Sequence, residues 1–145
     1  KPNVGFLGLA GSCYIPQDGA WWNARNTGDA RGFVFQGQSP QTMTPNYFGK
    51  SGQVVVLDGC FLAATYKTIK TIGLDEPEYL ETGWDFYDIH LTYKAHLEGF
   101  SNYTIPIIAM HESPGMMRDY LNGIFSKCIN LDLSLLWDDN HHCNF

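Results

Sequence analysis

VVVLDGCFLAATYKTI, residues 54–69, is the stretch that decides the fold class. The β-branched run Gln53–Leu57 predicts a buried strand, and it ends in Asp58-Gly59, a turn pair. Cys60–Ala64 continues in extended form, and Tyr66–Ile72 predicts a short helix. Downstream, Gly73–Leu80 is an acidic connection. Thr82-Gly-Trp-Asp85 has the spacing of a capping box, with Thr82 as N-cap. The helix it opens is expected over 83–98, with Gly99 as a C-terminal stop. Asn102–Ala109 reads as another strand. Ser113-Pro114 then reads as an N-cap followed by proline at the first helical position, opening a helix to about Ile129.

Upstream, Val4–Ala10 (VGFLGLA) is a glycine-studded apolar run expected to form a buried strand. Residues 11–32, rich in Gly, Asn and Asp and carrying Trp21-Trp22, predict a long loop. Gly32–Gln36 predicts a second strand, and residues 37–52, with two prolines among Gly, Ser and Thr, a loop or lid. This order predicts one α/β domain. The strands at 4–10, 53–57 and 103–109 should share one mixed sheet, with the helix 83–98 packed on it.

The composition fits such a domain. The 145 residues are 44% hydrophobic and 17% charged, too apolar and too weakly charged for disorder. A formal charge of −6 argues against a phosphate-neutralising surface and hence against nucleic acid as a partner. The longest apolar runs are too short for a membrane span. The cysteines at 13, 60, 128 and 143 share no metal-type spacing, so free thiols in a reducing, cytoplasmic setting are the expectation.

Three residues stand where chemistry is done. Asp88 shares a helical stripe with Trp84, Leu91 and Ala95, so it faces a core or cleft wall, where a carboxylate is costly to bury alone. It reads either as a first-turn acid stabilised by the helix N-terminus or as a general base at a cleft floor. Asp58, at the end of its strand, would lie at a sheet's carboxyl edge, with Gly59 permitting close approach of a ligand; taken alone, an ordinary turn is the better explanation of the pair. His111 follows the last strand and precedes a helix start, as a ligand or as a structural histidine. His90 and His96 read as exposed helix positions. His141-His142-Cys143 looks like a metal cluster, but adjacent side chains rarely share one ion.

Taken together, VVVLDGCFLAATYKTI (54–69), GLDEPEYLETGWDFYDIHLTYKAHLEGF (73–100) and IPIIAMHESPG (105–115) resemble the later, acceptor-side part of a family-2-type glycosyltransferase of the GT-A fold. That family follows a strand ending in Asp-Gly with F-x-A-x and a short helix. A Gly-hydrophobic-Asp-Glu turn, a Trp-x-x-Tyr-Asp helix, a Gly-aromatic turn, a strand and a histidine come next. VGFLGLAGS (4–12), followed by tryptophan, resembles the segment preceding this block in one branch. The resemblance implies a nucleotide-sugar donor, an acceptor hydroxyl on a saccharide or other molecule, and inverting transfer. It implies Asp88 as the base and Trp84 and Asp85 as shapers of the acceptor pocket. Asp58 and Gly59 would lie beside the donor's sugar and diphosphate. His111 would complete the coordination of a divalent metal, manganese or magnesium.

The chain departs from the family pattern in two respects: no two of its aspartates are separated by one residue, so the Asp-x-Asp metal motif is missing, and the first strands of the family's nucleotide-binding half have no counterpart in residues 1–145. The expectation is a truncated domain, inactive alone, whose unpaired sheet edge favours self-association. The competing reading is a non-catalytic carbohydrate-binding or assembly module that stacks sugars on Trp21, Trp22, Tyr47 and Phe48.

Overall fold

The structure, a computed structural model, describes residues 3–16, 19–75 and 86–113. Among them are nine strands, two α-helices and one 3-10 helix, Trp21–Thr27. The strands are β1 (Val4–Gly8), β2 (Ala10–Ser12), β3 (Ala30–Gly37), β4 (Thr44–Gly49), β5 (Gln53–Val54), β6 (Val56–Leu57), β7 (Leu62–Ala64), β8 (Ser101–Thr104) and β9 (Met110–Glu112). The helices are α1 (Tyr66–Ile72) and α2 (Tyr87–Leu97).

The expected mixed sheet is present, in the order β5-β8-β1-β7, with β1 parallel to β8 and the other pairs antiparallel. A second sheet, β4-β3-β2-β6 with β9 beside β3, was not foreseen. Two predicted strands each cross from one sheet to the other. The run 4–10 breaks at Leu9, whose carbonyl accepts the N–H of Phe33, and continues as β2. The run 53–57 breaks at Val55, whose N–H donates to Ser12 O. Gly32 makes the first crossing possible: its φ is +102°, and a Cβ there would collide with the Leu9 carbonyl.

The buried apolar residues form two clusters. Phe6, Val54, Leu57, Ile72, Ala95 and Phe100 fill the space between the mixed sheet and the helices. Ala10, Ile15, Trp21, Val56, Phe86, Ile89 and Tyr93 fill the space under the second sheet. Helix α2 contributes to both, so it lies along the seam where the strands cross.

Helix α1 has the predicted bounds, with the Thr65 hydroxyl accepting the Thr68 N–H at 3.1 Å and Gly73 at its end. Helix α2 starts later than predicted. Phe86, which precedes it, has φ 67°, a left-handed conformation that a helix beginning at 83 could not pass through. Phe86 is held there by burial in the second cluster. The capping box Thr82–Asp85, with Trp84 and Asp85, lies outside the described residues, as do the helix from Pro114 and His141, His142 and Cys143.

Two further expectations are corrected. Residues 44–49, read as loop, form edge strand β4; Pro45 is tolerated because an edge strand needs only one set of ladder bonds. The strand expected over 102–109 stops at Thr104. Pro106 has no N–H to continue the ladder, and the Ile107 N–H turns back to Ile105 O. Residues 105–109 instead carry the chain across to the second sheet, where β9 pairs with β3. Within the stretch 11–32, read as one loop, β2, the 3-10 helix and the start of β3 are ordered elements.

Candidate functional site

Asp58 and Asp88 meet where β6 ends against the start of α2. Strand β6 hands its last residue to the turn because the Asp58 N–H still pairs with Ala10 O at 2.9 Å, while its side chain folds forward. Asp58 Oδ1 accepts the Cys60 N–H at 2.9 Å, and Oδ2 accepts the indole N–H of Trp21 at 3.2 Å. The turn then presents the Gly59 N–H to Asp88 Oδ2 at 2.7 Å. Asp88 Oδ1 accepts the Ile89 N–H at 2.8 Å, as a carboxylate in a first helical turn does. The Tyr87 hydroxyl donates to Gly59 O at 3.1 Å. One glycine residue is thus held at both its N–H and its C=O by consecutive residues of α2. No side chain fits at 59: a Cβ there would collide with the Tyr87 hydroxyl.

The electrostatics follow from this crowding. Burial, and then the negative charge of Asp58, push the Asp88 carboxyl up to about 6, against the opposing pull of the Ile89 and Gly59 N–H groups. Burial and both carboxylates also push the Cys60 thiol and the Tyr87 phenol upward. A carboxylate at about 6 is mostly ionised at neutral pH yet far more basic than an exposed aspartate, as a general base needs. The arrangement can accept a proton at Asp88 from a group approaching the turn.

His111 stands apart. It lies on β9 opposite Gln36 of β3. The Ala10 that pairs with Asp58 lies opposite Gly32, four residues back along β3, roughly 13 Å of strand. The expectation that His111 follows a strand of the mixed sheet is therefore corrected: it belongs to the second sheet. Among the described residues no group of three or more His, Cys, Asp and Glu side chains gathers in a metal-binding arrangement. These residues do not by themselves fit a divalent metal site.

Of the aromatic residues considered for sugar stacking, Trp21 is 3% exposed, with its ring 4.9 Å from that of Phe48. Arg25 covers Phe48, 5.9 Å from the ring centroid. Trp21 serves the site instead as a hydrogen-bond donor to Asp58. Tyr47, at 57% exposure, is open. His90, read as exposed, is half-buried, and burial lowers its pKa. Sequence reasoning missed Tyr87 as a site residue, and named Trp21 for stacking rather than as a donor to Asp58. Tyr87 adjoins Asp88 and could have been found by adjacency; the bond from Trp21 spans 37 residues and leaves no local signal.

No helix among the described residues is long and apolar enough to cross a membrane. Residues 1–114, which include Asp58, Gly59, Asp88 and His111, match the model of a family described as glycosyltransferase-like. No curated protein and no solved structure matches the chain.

Proposed function

The chain belongs to a glycosyltransferase-like family, and on that premise we propose that its site transfers a sugar from a nucleotide-sugar donor to an acceptor hydroxyl, with Asp88 as the general base. One observation carries the proposal. Asp88 Oδ2 accepts the Gly59 N–H at 2.7 Å at the turn that carries Asp58, and there burial and the Asp58 charge raise its carboxyl to about 6.

The acceptor oxygen attacks the anomeric carbon as its proton passes to Asp88. The bond from that carbon to the diphosphate oxygen breaks, and the nucleoside diphosphate departs with the bonding pair. Attack from the face opposite the leaving group inverts the anomeric centre. Asp58 and Gly59 lie beside the sugar and diphosphate. Trp84 and Asp85, a few residues before Asp88, shape the acceptor side. Asp58 also keeps Asp88 basic, because its own charge opposes ionisation of its neighbour. A GT-A arrangement is part of this reading, supported by the mixed sheet and by the family motifs. The resemblance also implies a manganese or magnesium ion with His111 among its ligands, but His111 lies on β9 of the second sheet, apart from Asp58 and Asp88, and the described residues do not by themselves form such a site.

Release of nucleoside diphosphate from a panel of nucleotide sugars, with hydroxyl acceptors supplied to the complete protein, tests the proposal. Acceptor-dependent release that disappears in Asp88→Asn supports it. Release at the wild-type rate in that variant removes Asp88 from the mechanism.

A further inference from the structure

Among the described residues, strand β6 is paired on one edge only, with β2. Its other edge faces α2, and the backbone groups along it are met by side chains rather than by another strand. The Val55 carbonyl accepts from Asn102 Nδ2 at 2.8 Å. Two residues on, the Leu57 N–H donates to the Thr92 hydroxyl at 3.1 Å. Two residues further, the Gly59 N–H donates to Asp88. Leu57 and Gly59 alternate as residues along a strand edge do, whereas Val55, where the run breaks, gives its N–H to Ser12 and only its C=O to Asn102. Asp88 is the last of three side chains that close this edge.

The other two are bound to each other, and Thr92 is bound to Asp88. The Thr92 hydroxyl donates to the main-chain carbonyl of Asp88 at 2.7 Å, so one oxygen bridges Leu57 to the residue that holds the carboxylate. Asn102 Nδ2 also donates to the Thr92 carbonyl at 2.7 Å, while Asn102 Oδ1 accepts the Phe6 N–H at 2.9 Å. Both residues have no exposed surface, so water cannot replace these bonds.

We propose that Thr92 and Asn102 are positioning residues for the reaction, which together fix the Asp58–Gly59 turn against Asp88. The inference rests on the transferase reading only for the word reaction; the geometry it asserts can be tested without substrate. Without the Thr92 hydroxyl, Leu57 is no longer tied to α2. The turn then shifts, and the short bond from Gly59 to Asp88 lengthens. Asp58 and Cys60 from the turn and Tyr87 from α2 are the other titratable groups facing Asp88, and all remain in the variants below.

The Gly59 amide proton, followed by NMR against pH, reports the titration of the carboxylate it touches. Thr92→Val and the smaller Thr92→Ala both remove the hydroxyl, so the reading does not depend on either one folding. In these variants the midpoint should rise by about half a unit or more, because a hydrogen bond to the charged form is lost. Thr92→Ser, which keeps the hydroxyl, should restore the wild-type curve. Val34→Ala, in the buried interior of β3, should lower the melting temperature and leave the curve in place. A wild-type curve in the hydroxyl-less variants overturns the proposal, as does an equal shift in Val34→Ala. Loss of the transferase reading would show separately, as absent nucleotide release alongside a shifted curve.

Discussion

Replacing Asp88 by asparagine separates a catalytic base from a helix-start acid, because the two roles predict opposite changes in stability. The side chain keeps its shape and loses its charge. In the folded protein the carboxyl is raised from 3.8 to about 6 by burial and by Asp58. A rise of about two units corresponds to about 3 kcal/mol. Because the folded pKa lies above the unfolded one, the protonated form is the one the fold favours. The contribution is therefore complete below about pH 4 and is lost as pH climbs through about 6. Asparagine does not titrate, so its stability has no such slope.

At low pH the variant should be the less stable protein. It has one carbonyl oxygen to meet the two N–H groups of Gly59 and Ile89, and an unmet buried donor costs about 1–3 kcal/mol. Between pH 3.5 and pH 8 the difference should swing by about 3 kcal/mol in the variant's favour. At about 2–4 °C per kcal/mol, that is a swing of roughly 6–12 °C in relative melting temperature. Turnover, measured as acceptor-dependent nucleoside diphosphate release, should fall by about 10²–10⁴. Thermal melts of both proteins across the pH range, with turnover on the same preparations, decide the matter. A pH-independent difference in melting temperature would show that Asp88 is solvated and its basicity ordinary. Wild-type turnover, with a loss of about 0.3–1 kcal/mol at pH 7, would leave it as a helix-start residue.

Gly59→Ala drives a methyl group into the Tyr87 hydroxyl and should cost about 1–3 kcal/mol in urea unfolding; adding Tyr87→Phe should recover part of the loss, and no recovery would refute the stated clash. The Cys60 thiol, raised by burial and by Asp58 and Asp88, should be alkylated at pH 8 at least about tenfold more slowly than a free cysteine, followed in the peptide that contains it, and Asp58→Asn should speed the reaction. Equal rates would contradict the crowded geometry. Calorimetry of the chain with uridine-diphosphate sugars and manganese should give binding weaker than micromolar, because the sequence holds no Asp-x-Asp pair; micromolar binding would show that other residues hold the donor.

Some of this was legible in the sequence because it is local. The span of α1, read as a short helix over Tyr66–Ile72, is bounded by the adjacent cap Thr65 and by Gly73. That Asp58-Gly59 ends a strand and that Asp88 sits in a first helical turn were also legible, since a strand end and a helix start are each written in a few adjacent residues. The family resemblance added that the two carboxylates belong to one site. What the sequence could not determine is every feature that depends on two distant segments meeting. Val55 looks like the middle of one strand; it becomes a crossing between sheets because Ser12 and Asn102 take its N–H and C=O. Residues 44–49 look like a loop because an edge strand half open to water needs no apolar alternation. His111 was placed at the end of the wrong sheet, because the consequence of Pro106 depends on which strand is waiting beyond it. Phe86 carries no helix-breaking signature, yet burial among Ile89, Tyr93 and Val56 holds it left-handed and sets where α2 begins. The basicity of Asp88 is the clearest case. Its charge is in the sequence, but desolvation and the facing carboxylate of Asp58 exist only once β6 and α2 have packed together.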